Sequence, residues 1–260
     1  MTARAVLITG ASSGIGRALA IACAAPGVVQ HLGGRNAERL AEVQTACEAR
    51  GGEVHARSLD VTDAAGMAAW IAGAGRLDLV VANAGISAGT GHARSETAAQ
   101  ARAIFAVNVD GVLNTVLPAI EAMRGQAPDV GGVRGRIAVV ASIAAFIAAP
   151  GAPAYCAAKA AVDRWTVATS ANLRREGILL TSVCPGFIRT PMTAANPYPM
   201  PGLMDADRAA RIILRGIAAG RRRVVFPWWM GTVARVAGLM PPRIVAAFAS
   251  AAPGKPPLPG

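Results

Sequence analysis

Tyr155 and Lys159 stand four residues apart in Tyr-Cys-Ala-Ala-Lys, a spacing that puts both side chains on one face of a helix. An ammonium beside a phenol favours the phenolate and lowers its pKa from about 10, each unit being worth about 1.4 kcal/mol. A phenol tuned in this way can exchange a proton with a carbinol or carbonyl oxygen near neutral pH. Ser142 follows a strand-like run and can hydrogen-bond that same oxygen. Chance is a poor account of the pattern, because the chain has only two tyrosines and only two lysines, Lys159 and Lys255.

A second group of residues is suited to phosphate. The run Thr9-Gly10-Ala11-Ser12-Ser13-Gly14-Ile15-Gly16 follows the first apolar stretch with glycines spaced G-x-x-x-G-x-G. Glycines there permit a tight turn and bring a pyrophosphate close to the amide-rich start of the next helix. The spacing is wider than the commonest dinucleotide fingerprint, and position directly after a strand is what gives it meaning. The second strand ends in His31-Leu32-Gly33-Gly34-Arg35-Asn36, with no carboxylate to hold the ribose hydroxyls of NAD. A guanidinium at Arg35 can instead pair with the 2′-phosphate of NADP, a charge-assisted contact of roughly 1.5–3 kcal/mol. The alternative is a solvated arginine that merely begins a helix. Leu59-Asp60-Val61-Thr62-Asp63 places a carboxylate where it can accept from an adenine amino group, while Asp63 reads as a helix N-cap. Asn83-Ala84-Gly85 closes the fourth strand with a turn small enough for backbone to approach a ligand.

These residues need strands to carry them. Short apolar runs at residues 6–9, 28–32, 54–59, 77–82, 136–141, 179–184 and 223–226 alternate with helical patterns, such as Leu40, Val43 and Cys47 on one face of 37–49. The runs are apolar throughout, as a sheet covered on both faces requires. Alternation of this kind predicts an α/β fold with a doubly wound parallel sheet, the Rossmann architecture, over residues 1–226 as a single domain.

Composition narrows the classes further. The 260 residues are 53% hydrophobic and 16% charged, enough to bury a large core and inconsistent with a disordered chain. Cys23, Cys47, Cys156 and Cys184 are scattered, without metal-ligand spacing, and read as free thiols of a cytoplasmic protein; no metal site is expected. The net charge of +11 comes mostly from residues 201–260, which hold 9 basic and 2 acidic residues. With 4% aromatics and little basic-aromatic interleaving, nucleic-acid binding is not expected. The uncharged stretch 137–158 contains Pro150, Gly151 and Pro153 and reads as a buried strand plus a turn, not a membrane span. The N-terminal apolar run is too short for a signal peptide.

Taken in order, Thr9-Gly10-(x)3-Gly14-Ile15-Gly16, Asn83-Ala84-Gly85, Asn108, Ser142, Tyr155-(x)3-Lys159 and Pro185-Gly186-(x)3-Thr190 resemble the short-chain dehydrogenase/reductase family. The resemblance spans about residues 4–226 and implies an NAD(P)-dependent oxidoreductase that interconverts a carbonyl and a secondary alcohol. It implies that Tyr155 is the general acid/base and that Ser142 orients the substrate oxygen. Lys159 would bind the nicotinamide ribose and tune Tyr155, and Asn108 would hold a water linking Lys159 to solvent. It also implies cofactor contacts at Gly10, Ser12, Ser13, Gly14, Ile15, Gly16, Arg35, Asp60, Val61, Asn83, Ala84, Gly85, Pro185, Gly186, Ile188 and Thr190. A basic residue carried in the Gly-rich loop by some NADP-preferring members is Ser13 here, so the NADP expectation rests on Arg35. A non-catalytic nucleotide sensor of the same fold is the alternative function.

Substrate choice belongs to residues 187–204, where Met192, Met200, Met204 and several prolines suggest an adaptable apolar lid and a hydrophobic substrate; an ordinary loop is the alternative. Beyond 226 the chain departs from a minimal member. Arg221-Arg222-Arg223, then Trp228-Trp229-Met230 and apolar helical stretches at 231–240 and 242–251, form an extension over 227–252. Residues 228–250 would dock outside the core as a homodimer or homotetramer interface, a pocket cover or a peripheral membrane contact. The proline-rich residues 253–260 read as a flexible tail.

Overall fold

The computed structural model describes residues 3–91, 95–241, 243 and 255–258. In chain order, β1 (Ala5–Thr9) leads into α1 (Gly14–Cys23), β2 (Val29–Gly34) into α2 (Ala37–Glu48), and β3 (Glu53–Ser58) into α3 (Ala64–Ala72). β4 (Leu79–Ala82) is followed by α4 (Ala98–Phe105), a π-helical turn (Ala106–Asp110) and α5 (Gly111–Arg124). β5 (Gly135–Val140) leads into α6 (Pro153–Leu173) and β6 (Ile178–Pro185) into β7 (Ile188–Arg189), α7 (Pro191–Ala194) and β8 (Met204–Asp205). α8 (Ala206–Ala218), β9 (Arg223–Phe226) and α9 (Trp228–Gly238) complete the order.

The seven expected strands form one parallel sheet in the order β3-β2-β1-β4-β5-β6-β9, and β7 pairs with β8 beside it. Successive side chains on a strand face opposite sides, so both faces need apolar cover. Val6 and Ile8 pack with α1, α2 and α8, while Leu7 between them packs with α3 and α5 on the other side. Leu79 and Val81 against Val80, and Ala138 and Val140 against Ile137 and Val139, repeat the division. Each fully buried aliphatic side chain contributes roughly 1.5–3 kcal/mol. β3 departs from the expectation of wholly apolar strands: Glu53 and His55 face solvent, because β3 is the edge strand and α2 covers only one of its sides.

The uncharged stretch divides as the sequence predicts, into β5 and the approach to α6. Among the described residues one helical run, Ala98–Arg124, is long and apolar enough to cross a membrane, and its Val112, Val116, Ala119, Ile120 and Met123 are buried against the sheet.

The C-terminal extension divides in two. α9 packs one side on the segment after Ser142, with the Arg235 guanidinium 4.5 Å from the Phe146 ring centre. Its other side leaves Trp228, Val233, Val236 and Leu239 exposed. The second helical stretch, 242–251, lies outside the described residues apart from Arg243. Lys255–Leu258, expected as a flexible tail, instead lie against the loop after β4. The Gly89 and Gly91 amides donate to the Pro256 and Lys255 carbonyls, at 3.0 and 2.8 Å, and Leu258 enters an apolar cluster with Ile104 and Ala158.

Candidate active site

In an open parallel sheet, ligands bind beyond the carboxyl ends of the strands, where the chain order reverses. Here that point lies between β1 and β4. A cleft of about 600 Å³ opens there, and every residue expected in the site except Gly16 lines it.

The glycine turn is shaped by what surrounds it. Gly14 has φ +54, a conformation that side chains resist, and a Cβ there would meet Thr190 Cγ2 at 2.9 Å. Gly16 serves packing and not contact: its Cβ would stand 2.2 Å from the Gly10 carbonyl oxygen. Asn83 lines the cleft, yet its side-chain amide is committed to the turn, donating to the Thr9 and Gly10 carbonyls at 3.0 and 3.1 Å. The Asn83 and Ala84 amides donate to Thr9 Oγ1, so the ends of β1 and β4 are braced as one unit.

At the end of β2, Arg35 is exposed and faces the cleft, and Arg39 one turn into α2 lines it as well. Arg39 was not among the expected residues; it stands in the first turn of α2, just beyond the Asn36 cap that follows Arg35. Asn36 caps that helix by accepting from the Arg39 amide at 2.8 Å, and Asp63 caps α3 as predicted. Asp60 Oδ1 accepts from the Thr62 amide and hydroxyl at 2.9 and 2.8 Å. Burial works against its charge, but these bonds and the facing Arg35 hold the carboxyl below its ordinary range.

The other end of the cleft holds the polar residues of α6 and the strand ends. Ser142 follows β5 directly, and its Oγ accepts from the Ala144 amide at 3.1 Å. α6 begins at Pro153, whose fixed backbone suits a first helical turn, and the Ala154 amide donates to Glu96 Oε2 at 3.0 Å. One turn on, Tyr155 and Lys159 both face the cleft. Lys159 Nζ donates to the Val140 carbonyl at 2.8 Å, and burial pushes the ammonium down to about 8. The phenol does not shift downward as its lysine neighbour led us to expect: burial outweighs other influences and pushes Tyr155 up to about 12, offset in part by the hydroxyls of Ser142 and Ser87.

Asn108 sits in the π-helical turn, fully buried, with Nδ2 donating to the Ile86 carbonyl at 2.8 Å. Its Oδ1 is buried without a partner among the described residues. A Cβ on Gly85 would come 2.6 Å from that oxygen and 3.5 Å from Lys159 Nζ, so the glycine keeps the space between the two open. Ser87 and Lys255 were not anticipated: Lys255 Nζ donates to Ser87 Oγ at 2.6 Å and stands 5.6 Å from the Tyr155 ring centre.

The glycine cradle, the paired arginines and the Asp60 carboxylate fit a dinucleotide, and the Ser142–Tyr155–Lys159 group can move a proton at the far end of it. Comparison with known proteins agrees. The family model described as short chain dehydrogenase matches residues 4–199. An "Uncharacterized oxidoreductase" of Myxococcus xanthus (strain DK1622) is 36% identical over 93% of this chain and 94% of its own length. A short chain dehydrogenase/reductase from Burkholderia phymatum, solved in complex with NAD, superposes with a TM-score of 0.80 at 25% identity, covering 97% of each chain. A short-chain dehydrogenase from Sphingobium yanoikuyae, solved with NADPH, gives a TM-score of 0.77 at 25% identity, covering 91% of this chain and 94% of that one.

Proposed function

The chain belongs to the short chain dehydrogenase family of NAD(P)-dependent oxidoreductases, and on that premise we propose an NADP(H)-dependent enzyme that interconverts a hydrophobic ketone and its secondary alcohol. The observation that carries this reading is the convergence of Asn108, Ser142, Tyr155 and Lys159 on the same cleft as Gly10, Gly14 and Arg35.

A nicotinamide held in this cleft would supply the hydride for the carbonyl carbon. Ser142 and Tyr155 hold the carbonyl oxygen between two hydroxyls, and Tyr155 gives it a proton as negative charge develops. The Lys159 ammonium, fixed by the Val140 carbonyl, stabilises the phenolate left behind. Asn108 Oδ1, facing the space kept by Gly85, orders the water through which Lys159 reaches solvent. Preference for NADP rests on Arg35 and Arg39, two guanidinium groups at the end of β2 with no carboxylate on that strand end.

Met192 and Thr193 line the cleft from the segment after β7, and Phe187 just before β7 and Tyr198 beyond α7 meet as tilted rings 6.2 Å apart, which supports an apolar substrate. The exposed stripe of α9 is our candidate for the surface that meets a second copy of the chain. The test of the activity is a panel of cyclic and long-chain ketones and their alcohols, assayed with NADPH and NADH by nicotinamide absorbance. Turnover of apolar ketones with NADPH favoured is expected. Nucleotide binding without turnover of any carbonyl would support a sensor instead.

A further inference from the structure

Only two of the 26 basic residues in this chain are lysines, and both stand against Tyr155. Lys159 Nζ lies 5.9 Å from the ring centre and Lys255 Nζ 5.6 Å. Arginine, used everywhere else, stays charged at any accessible pH and cannot hand on a proton; lysine can. The two lysines thus stand at two positions where a cation able to exchange protons adjoins the phenol.

Lys159 belongs to the site already described, but Lys255 arrives from the other end of the chain on a seat built for it. The Gly89 and Gly91 amides donate to the Pro256 and Lys255 carbonyls. Buried Gln100 clamps both partners, its Oε1 accepting from the Leu258 amide at 2.9 Å and its Nε2 donating to the Gly89 carbonyl at 3.0 Å. Leu258 adds an apolar anchor against the cluster that includes Tyr155. A side chain at residue 89 would not fit, since its Cβ would stand 2.7 Å from Lys255 Cβ. Pro256 and Pro257 reduce the freedom lost on docking.

We propose that Lys255–Leu258 is a strap that completes the active site, and that Lys255, through Ser87, is a positioning residue for Tyr155 and a second route, beside Lys159 and its water, by which the phenol regains its proton. Lys255 Nζ donates to Ser87 Oγ at 2.6 Å and stands 5.6 Å from the Tyr155 ring centre, and the Ser87 hydroxyl favours the ionised phenol. After Tyr155 has protonated the alkoxide, Ser87 passes its hydroxyl proton to the phenolate and takes one from the Lys255 ammonium. The neutral amine then regains a proton from water, so no net charge accumulates. Burial, which brings the Lys255 ammonium down to about 8, makes that release accessible near neutral pH. The strap deepens the carbonyl-reductase reading and rests on it.

The experiment uses the full chain with NADPH and the best ketone of the panel, comparing Lys255→Met, Ser87→Ala, the double variant, a chain ending at Gly254, and Tyr155→Phe as reference. For Lys255→Met and the shortened chain, kcat is expected to fall about tenfold or more, the equivalent of one pKa unit. NADPH affinity, read from its bound fluorescence, stays unchanged and reports an intact fold. The double variant is expected to be no slower than the slower single, because both act along one path. Millimolar ethylamine is expected to restore part of the rate to Lys255→Ala. Turnover within twofold of wild type, or additive losses without amine rescue, would overturn the strap while a dead Tyr155→Phe left the oxidoreductase reading intact. An active Tyr155→Phe, or a wild type inert towards every carbonyl, would sink that reading and the relay with it. Docking is read independently by hydrogen exchange: the Gly89 and Gly91 amides should lose protection in the shortened chain, and unchanged protection would refute the seat.

Discussion

Lys159 donates to the carbonyl of Val140, the last residue of β5, and so α6 is pinned to the strand that leads through Ala141 to Ser142. The bond fixes the ammonium but leaves it dry, and burial brings it down to about 8. Below that pH the ammonium and the Tyr155 phenol, pushed up to about 12, both hold their protons. Carbonyl reduction should therefore be fastest below about 8 and decline as pH rises through it, as Lys159 and Lys255 lose charge before Tyr155 does. A kcat/KM profile from about pH 6 to 10 checks this; a flat profile across the window would contradict it.

Tyr155→Phe should abolish turnover and leave NADPH binding near wild type. Only the hydroxyl acts on the substrate oxygen, and the ring keeps its place on α6. Loss of at least about a hundredfold in kcat is expected. A variant retaining more than about a tenth of the rate would remove Tyr155 from the mechanism.

Arg35→Ala should weaken NADPH far more than NADH, by roughly 10- to 150-fold, since only NADPH carries the 2′-phosphate. Arg39→Ala should act in the same direction by a smaller factor, because it lies one turn further along α2. Dissociation constants for both cofactors decide the matter, and equal losses would make the arginines structural.

Asp163 on α6 is the hub that ties the helix to β6 and β9. Arg223 reaches it through two bonds of 2.9 and 2.8 Å, and Ser182 Oγ donates to it at 2.6 Å. Asp163→Asn leaves a guanidinium facing a neutral amide, and breaking a buried pair costs several kcal/mol. Partial exposure of Arg223 lowers the expectation to about 2–3 kcal/mol, or roughly 5–10 °C in Tm. Calorimetry on the variant reads it directly.

Aspartates at Val233 and Val236 should change the mass of the protein in solution if α9 is a subunit interface. Unchanged mass together with lost binding to anionic vesicles would assign the surface to membrane instead.

Most strands were readable because they are short, largely apolar and bounded by turn residues; residues 223–226 were predicted with the observed ends. The Gly-rich turn and the Tyr155–Lys159 pair were readable because local spacing alone places them. What escaped depends on distant partners. Lys255–Leu258 carries the prolines of an unstructured tail, and only Gly89, Gly91 and Gln100, more than 150 residues earlier, give it a seat. Asn83 was read as a ligand-facing turn, and its bracing of Thr9 and Gly10 depends on β1 and β4 being neighbours in the sheet. The alternation of β3 was misjudged because edge position is a property of the whole sheet.

The π-helical turn at Ala106–Asp110 interrupts a longer helical run. Such a turn is what a single extra residue makes of an α-helix. Remove Val107, and the run from Ala98 to Arg124 can wind without interruption, gaining regular hydrogen bonds. Each residue advances an α-helix by about 100°. The π turn absorbs one such step, so removing a residue together with the turn would leave the helix on either side in phase, and the change would fall on the turn itself, where Asn108 sits. The irregular turn is thus spent on the one residue, Asn108, whose unpartnered Oδ1 faces Lys159 across Gly85.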